Sequence, residues 1–336
     1  MIEMLRKLCL LDGTSGDEGA VRDYIIQELD GHCEYKTDPL GSIIAFKKGK
    51  KAAKKRLLLD AHTDEVGLII THITADGFLK FKTVGGIDTA VLLTRKVKIN
   101  GQTVGVIGGK PVHLLHGDEG KKLPSADSLT IDIGAKNHEE AESVVRVGGR
   151  AVLASDFTVI GDKILSKAID DRVGCAILLR LLTEESEYDF HASFSVQEEV
   201  GLRGAKAAAF GVDPEAAIVL EATTAADIAE VDESKKVCTL SGGATLSFMD
   251  GSTVYDRAYY DAAMKSGIPC QPKCAVAGGN NAGAIHLSRG GVRTLGISVP
   301  CRYIHSASSM ADLRDVTSAY CLAKYMINRI CSGELS

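Results

Sequence analysis

Hydrophobic positions along the chain are spaced in a way that predicts helices alternating with strands. Apolar residues within Val21–Leu29 recur at helical spacing. The Ser-x-x-Glu pattern of Ser15 and Glu18 predicts a capping box that starts a helix near Ser15. Apolar runs predict strands at 41–46, 56–61, 191–197, 217–220 and 294–299, and helices at 171–183, near 205, at 255–266 and at 310–330. This alternation is typical of a mostly parallel sheet covered by helices, an α/β fold.

The region from about 67 to 161 has a different pattern. Short β-branched runs follow one another at spacings of roughly 8–12 residues with Gly and Asp turns between them, which is typical of all-β domains. The runs are LIITHI, FLKFKTV, RKVKI, TVGVIGG, RAVLA and DFTVIG, with one helix predicted around His138–Val144. We therefore predict an all-β domain, 67–161, inserted into an α/β domain formed by 1–66 and 162–336.

Composition narrows the class of protein. With 336 residues, 45% of them hydrophobic, the chain can bury one large core and a second, smaller one. No apolar run reaches the roughly 20 residues that span a bilayer, and the first residues lack the apolar core of a signal peptide, so we expect a cytoplasmic protein without a membrane partner. The formal charge of −5 argues against nucleic acid as a partner. Nine scattered cysteines are expected to be free thiols.

Acidic residues and histidines stand where several predicted strands end. They are His62 and Asp64 after LLLDA, Glu198 and Glu199 after SFSVQ, Glu221 after AIVL, and His305 after TLGISVP, while Asp170 and Asp171 precede a helix. Singly, each has an ordinary explanation, such as a helix cap or a hydrogen-bonded loop residue. Together they are expected to meet at one edge of the sheet, because ligands of open α/β sheets bind beyond the carboxyl ends of the strands.

A metal centre is the simplest explanation for such a cluster. Five anionic groups that converge without a cation would repel one another at a cost of several kcal/mol. Imidazole and carboxylate ligands without cysteine favour zinc, with cobalt or manganese as alternatives. Two ions account for the ligands better than one, since a single zinc needs about three protein ligands, and a shared carboxylate would hold the pair.

Five segments, in their order and spacing, resemble a known family. They are AHTDEVG, KAIDDRVG, VQEEVGLRGA, VLEATTAAD and GGNNAGAIHLSRGGVRTLGISVPCRYIHS. They look like the tetrahedral aminopeptidases, glutamyl-aminopeptidase-like co-catalytic metallopeptidases also known under the names CelM endoglucanase and FrvX-like. GGIDTAVLLTRKVKI and SLTIDIGA in the insert are similar to the family as well. The resemblance implies a zinc-exopeptidase-like fold with a small barrel-like dimerisation insert, removal of N-terminal residues from peptides, and dimers that assemble into a tetrahedral dodecamer.

The resemblance also implies residue roles. His62 and Glu221 would bind one divalent ion, Glu199 and His305 the other, Asp170 would bridge both, Glu198 would be the general base, and Asp64 would hydrogen-bond the ring of His62. Two positions depart from the family pattern. The family commonly has Asp where this chain has Glu221, and frequently has Thr-Asp where it has Asn280–Asn281.

The predicted activity is hydrolysis of a peptide bond by a metal-bound water whose proton Glu198 accepts. Three alternatives remain at this point: an N-acyl amino acid deacylase of similar architecture, an endoglucanase, and a metal-binding or assembly protein without activity. His113 and His116 in the insert have an i, i+3 spacing but no acids nearby in sequence, so we predict no metal site there.

Overall fold

The computed structural model describes residues 1–114, 123–276 and 278–335, so His116 lies outside the described residues. The helices are α1 (Ile2–Leu10), α2 (Gly19–Leu29), α3 (Thr89–Leu92), α4 (His138–Val144), α5 (Ile169–Thr183), α6 (Arg203–Val212), α7 (Arg257–Met264), α8 (Ala282–Ile285) and α9 (Leu313–Cys331). The strands are β1 (Glu34–Thr37), β2 (Ile43–Lys47), β3 (Leu57–His62), β4 (Gly67–Ile73), β5 (Leu79–Val84), β6 (Lys96–Ile99), β7 (Thr103–Gly108), β8 (Thr130–Asp132), β9 (Arg150–Leu153), β10 (Thr158–Ile160), β11 (Lys163–Ser166), β12 (Phe190–Ser195), β13 (Ala216–Thr224), β14 (Ala244–Ser247), β15 (Cys270–Pro272), β16 (Arg293–Arg302) and β17 (Ser309–Asp312). The predicted α/β fold is confirmed.

Within the described residues, eleven strands form one large sheet in the order β1-β2-β12-β3-β13-β16-β17-β11-β10, with β14 pairing β16 and β15 pairing β14. The four central strands, β12, β3, β13 and β16, run parallel to one another. The flanking pairs are antiparallel, so the sheet is more mixed than the sequence predicted. Helices α1, α2, α5 and α9 bury one face of the sheet and α6 and α8 the other, which explains why β3 is buried along its length.

A closed antiparallel barrel, β4-β5-β8-β7-β6-β9, forms the predicted all-β insert around a core of its own. The run DFTVIG does not belong to this barrel. It forms β10, which is exposed along its length and pairs with β11 as the last strand of the large sheet. The sixth barrel strand is β8 instead. Strand patterns look alike in the two domains, so the sequence could not assign this run, and the exact bounds of the insert stay a prediction.

Helix α2 begins at Gly19, so the predicted capping box near Ser15 is wrong. The Ser15 hydroxyl donates to Asp64 Oδ2 at 2.6 Å, away from the helix. Glu18 Oε1 accepts hydrogen bonds from the backbone N–H of Gly16 at 2.7 Å and of Gln197 at 3.2 Å. Both side chains therefore hold loops beside the carboxyl edge of the sheet.

Helix α9 also begins later than the sequence predicted, because the residues before it form β17. This strand pairs antiparallel with β11, and its last residue, Asp312, caps α9 by accepting a hydrogen bond from the backbone N–H of Arg314 at 2.8 Å. Across the part of the chain that the structure describes, no helix combines the length and apolarity needed to cross a bilayer.

A buried ion cluster lies beside β3, where the chain leaves the large sheet for the barrel. Lys167 Nζ lies 2.6 Å from Glu65 Oε1 and donates to the carbonyl of Leu11 at 2.9 Å. The buried Arg172 guanidinium donates to the carbonyl of Thr63 at 2.9 Å and lies 3.4 Å from the same oxygen of Glu65. Burial lowers the pKa of Lys167, and the charge of the Glu65 carboxylate opposes that shift.

Glu65→Ala should lower the free energy of unfolding by about 3–5 kcal/mol, since it leaves two buried cations without their carboxylate. Asp127→Ala is the matched control, because Asp127 pairs with Lys82 at the surface and both side chains are exposed. This variant should cost less than about 1 kcal/mol. Urea denaturation followed by circular dichroism measures both, and equal losses would contradict the role given to the buried cluster.

Candidate metal centre

The carboxyl edge of the parallel strands brings the predicted ligands together. His62 is the last residue of β3, and the register places Ser195 of β12 beside it. Glu198 and Glu199 lie in the loop after β12, which ends at Ser195. In β13, Glu221 stands two residues beyond the position that pairs with Asp60, so it is level with His62. The strand ends therefore converge as the sequence predicted.

Asp170 lies between the two histidines. Its Oδ1 is 3.2 Å from His62 Nε2, and its Oδ2 is 3.2 Å from His305 Nε2. Each histidine also faces a second acid: Glu221 Oε1 lies 3.3 Å from His62 Nε2, and Glu199 Oε1 lies 3.3 Å from His305 Nε2. The five side chains thus form two sets of one histidine and one glutamate that share one aspartate.

These distances and the hydrogen-bond pattern fit divalent ions. Two ligand atoms that each lie about 2.0–2.1 Å from a tetrahedral zinc are about 3.3 Å apart. The histidine nitrogen and the carboxylate oxygens of each set are separated by nearly this distance. Both carboxylate oxygens of Glu221 and Oε1 of Glu199 are buried without a hydrogen-bond partner among the described residues. Buried carboxylate oxygens without donors are costly, and a cation would satisfy them.

Asp171, next to the shared aspartate, makes hydrogen bonds to the backbone. Its Oδ2 accepts the backbone N–H of His62 at 3.2 Å and its Oδ1 accepts the backbone N–H of Gly174 at 3.0 Å. Burial and the neighbouring charge of Asp170 raise its pKa well above the ordinary range. Asp171 lies close enough to His62 and Glu221 to form a possible ligand set. Both of its carboxylate oxygens, however, already accept hydrogen bonds from backbone N–H groups. It therefore positions the end of β3.

Asp64 acts partly as predicted. The ring contact of His62 is made mainly by the Asp64 carbonyl, which accepts from Nδ1 at 3.0 Å, while the nearest carboxylate oxygen is 3.4 Å away. Because a carbonyl only accepts, Nδ1 carries the proton and Nε2 is left to face Asp170. The Asp64 carboxylate instead accepts the backbone N–H groups of Glu198 at 2.9 Å and Glu199 at 3.1 Å. Asp64 thereby ties together β3 and the loop after β12.

His305 is held by the segment that follows β5 of the barrel. Its Nδ1 donates to the carbonyl of Gly86 at 2.7 Å. Gly85 has φ +82°, and a Cβ there would lie 2.8 Å from Val66 Cγ1 and 3.2 Å from Glu199 Cβ, so glycine is required for this approach. His305 has a left-handed φ of 59°, a strained value typical of functional sites.

The electrostatics of the cluster show that it needs positive charge. Burial, reinforced by Glu199 and Asp170 and opposed by His62, raises the pKa of Glu198 to about 8. Although burial opposes it, hydrogen bonds with Asp170 and Glu199 raise the pKa of His305 to about 11. Without a metal, protons are therefore retained on the imidazole and on the carboxylate. Divalent ions would compete with those protons for the same ligand atoms.

A cavity of about 390 Å³ opens beside the cluster, and Glu198, Glu221 and His305 line it. This volume is in the range of small-molecule sites, about 300–1,000 Å³. The cavity gives a small ligand direct access to the acidic cluster.

The two asparagines that depart from the family pattern lie beneath this cavity. Asn281 Nδ2 donates to Asp60 Oδ2 at 2.7 Å and to Ser195 Oγ at 2.8 Å. Burial raises the pKa of Asp60 to about 6, against the hydrogen bonds it accepts. An aspartate at position 281 would put a second carboxylate against Asp60, so the amide suits this buried network. Asn280 lines the cavity, and its Oδ1 accepts the backbone N–H of Ala282 at 2.9 Å.

Comparisons with known proteins identify the family. A family model described as M42 glutamyl aminopeptidase matches residues 41–322. The lysyl aminopeptidase of Pyrococcus furiosus is 33% identical over 341 residues, which cover 98% of this chain and 97% of that protein.

Two solved structures are similar over almost the whole chain. The aminopeptidase APDkam598 from the archaeon Desulfurococcus kamchatkensis has a TM-score of 0.94 and 34% identity, covering 100% of this chain and 96% of that one. The TET1 peptidase of Pyrococcus horikoshii, described as able to assemble into a tetrahedron or a large octahedral shell, has a TM-score of 0.83 and 34% identity, covering 96% and 98%.

Asp170→Ala should lose most of the zinc that the unaltered chain binds, because its two oxygens face both histidines. His62→Ala should lose less, since one set of ligands stays complete. His113→Ala is the control for a histidine-to-alanine change, because His113 is exposed in the insert. Elemental analysis after dialysis measures zinc per subunit. Unchanged zinc in Asp170→Ala would remove this residue from the metal centre.

Proposed function

Because this chain belongs to the M42 glutamyl aminopeptidase family and is a hydrolase of peptide bonds, we propose that it removes N-terminal residues from peptides with two divalent ions per subunit. The observation that carries the proposal is the position of Asp170, with one carboxylate oxygen toward each histidine. A shared carboxylate of this kind is what a pair of ions requires. Zinc is the favoured metal and cobalt or manganese the alternatives, given the mixed imidazole and carboxylate ligands.

Each proposed ion has its own ligands in addition to Asp170. His62 and Glu221 would hold one ion, and His305 and Glu199 the other. The short distance between the two side chains of each pair supports this assignment, and so do the buried carboxylate oxygens that have no hydrogen-bond donor among the described residues. When bound, such ions polarise the scissile carbonyl and make water more acidic.

Glu198 is the proposed general base. Its backbone N–H is fixed by Asp64, and its side chain lines the cavity beside the proposed ligands without being one of them. A carboxylate in that position can accept a proton from water. In this role a Glu198 carboxylate oxygen takes a proton from the attacking water and passes it to the nitrogen of the leaving amine.

The chain is proposed to act as a homo-oligomer, a tetrahedral dodecamer built from dimers that pair through the β insert. The similarity to the P. horikoshii TET1 peptidase supports this assembly. Exposed apolar side chains on the insert support it too: Val104, Val106, Val144 and Val147 lie at its surface. Substrates would then be peptides small enough to enter the assembly.

A substrate panel separates this function from the other two hydrolases that the sequence left open. The zinc-loaded enzyme is expected to cleave peptides with a free N-terminus, to spare N-acetylated ones and β-glucan, and to lose activity on chelation. Preference for acylated substrates would indicate a deacylase instead. Hydrolysis of β-glucan that survives chelation would indicate a glycosidase, which needs two carboxylates and no metal pair.

Glu198→Gln should lower kcat by about 10²-fold or more, the scale of losing a general base, because the amide cannot accept the proton. Zinc content should stay unchanged, since Glu198 is not among the proposed ligands. Glu139→Gln, at an exposed position of α4, is the matched control and should keep full activity. Steady-state kinetics on a peptide substrate measure both variants. Near-normal kcat in Glu198→Gln would show that another group accepts the proton.

A further inference from the structure

The loop between α1 and α2, residues 11–18, carries the Ser-x-x-Glu pattern, and its two polar side chains bind groups outside helix α2. Both are buried, with Ser15 5% and Glu18 6% exposed. Two hydrogen bonds join the loop to the end of β3. The N–H of Glu65 donates to the carbonyl of Gly13 at 2.9 Å, and the N–H of Gly13 donates to Glu65 Oε1 at 3.2 Å. The loop is therefore a fixed part of the carboxyl edge of the sheet.

Three consecutive backbone N–H groups in the loop after β12 donate to buried carboxylates. The N–H of Gln197 donates to Glu18 Oε1 at 3.2 Å. The N–H of Glu198 donates to Asp64 Oδ1 at 2.9 Å, and the N–H of Glu199 donates to Asp64 Oδ2 at 3.1 Å. The backbone that carries the proposed general base is therefore held by two side chains from distant parts of the chain.

The conformation of this backbone depends on such contacts. Gln197 has a left-handed φ of 56°, which residues other than glycine rarely adopt and which persists only where the surroundings hold it. On one side, the carbonyl of Glu198 accepts the N–H groups of Gly201 and Leu202, each at 2.9 Å. On the other side, the N–H of Gln197 is held by Glu18. Glu18 therefore helps to fix the direction in which the Glu198 side chain leaves the backbone.

Ser15 acts on the same backbone through Asp64. Its hydroxyl donates at 2.6 Å to Asp64 Oδ2, the oxygen that also accepts the N–H of Glu199. The Asp64 carboxylate is fully buried, and its other oxygen lies 3.4 Å from His62 Nδ1. A buried carboxylate that loses one of its donors is less well fixed and turns toward the donors that remain. Removal of the Ser15 hydroxyl would therefore loosen the hold of Asp64 on the backbone of Glu198.

We propose that Ser15 and Glu18 are positioning residues for the general base Glu198. The proposal rests on the proposed function, in which Glu198 accepts the proton of the attacking water. Neither residue is among the described residues that line the cavity, so each acts through the backbone at 197–199 and not on the substrate. Displacement of a reacting group by about 1 Å can lower a rate by about 10²-fold. Loss of either contact should therefore lower kcat and leave substrate binding unchanged.

Steady-state kinetics of the zinc-loaded enzyme on a peptide with a free N-terminus test the proposal. In Ser15→Ala and in Glu18→Ala, kcat should fall by about 10-fold or more, while KM changes by less than about 2-fold and zinc per subunit stays the same. Ser15→Thr keeps a hydroxyl and Glu18→Gln keeps an acceptor oxygen, so both should recover most of kcat. Ser143→Ala is the matched control, because Ser143 is exposed on α4, and it should keep full activity.

A double-mutant cycle with Glu198→Gln separates positioning of the base from general damage to the fold. Once the base is absent its position no longer matters, so Ser15→Ala should lower kcat by less than about 2-fold in the Glu198→Gln background. Glu18→Ala in the same background gives a second, independent cycle. This second cycle decides the test if the circular dichroism of Ser15→Ala shows that the variant is unfolded.

The outcomes distinguish failure of the proposal from failure of the proposed function. An equal loss of kcat with and without Glu198 would overturn the positioning role, and so would loss of zinc from Ser15→Ala, since the contact would then serve the metal ligands. Normal kcat in both alanine variants would overturn it as well and would leave the aminopeptidase intact. An unaltered enzyme that cleaves no peptide with a free N-terminus would overturn the proposed function, and the positioning role with it.

Discussion

The carboxylate of Asp170 faces a different histidine with each of its oxygens, and the rest of the site is arranged around that contact. Two glutamates lie beside the histidines with buried oxygens that no donor among the described residues satisfies. Largely buried carboxylates at this density repel one another unless a cation is present. The raised pKa values of Glu198 and His305 indicate that these two side chains hold protons more tightly when no metal is bound. In the proposed centre, a pair of divalent ions would satisfy the same atoms with the histidines neutral.

Both the large sheet and the barrel contribute to this arrangement. Parallel strands end together, so His62 and the Glu198–Glu199 loop meet at one edge of the sheet, and Asp64 ties them together through backbone N–H groups. The segment after β5 of the barrel adds the Gly86 carbonyl that orients His305. The barrel is therefore coupled to the proposed metal centre, because displacement of that segment would turn the His305 ring. An insert that also mediates assembly would link the oligomeric state to the geometry of the site.

The ends of the strands, and the acids and histidines that stand there, could be predicted from the sequence because both appear as local patterns of residue types. The apolar run of β3 ends at Asp60, two residues before His62, and the Glu pair comes shortly after β12, so the sequence could predict which residues lie at the edge of the sheet. Contacts made across the fold left no such pattern. Ser15 resembled a helix cap but bonds Asp64, and Lys167 was unremarkable until Glu65 was found beside it. The run DFTVIG had the right spacing for the barrel, yet only pairing with β11 decides its sheet.

Anomalous diffraction from zinc-loaded crystals, recorded on both sides of the zinc absorption edge, tests the central claim most directly. The account predicts two peaks in each subunit, one between His62 and Glu221 and one between His305 and Glu199, with an Asp170 oxygen beside each. Crystals with ample zinc but no peak between these side chains, or with Asp170 turned away from both histidines, would contradict it.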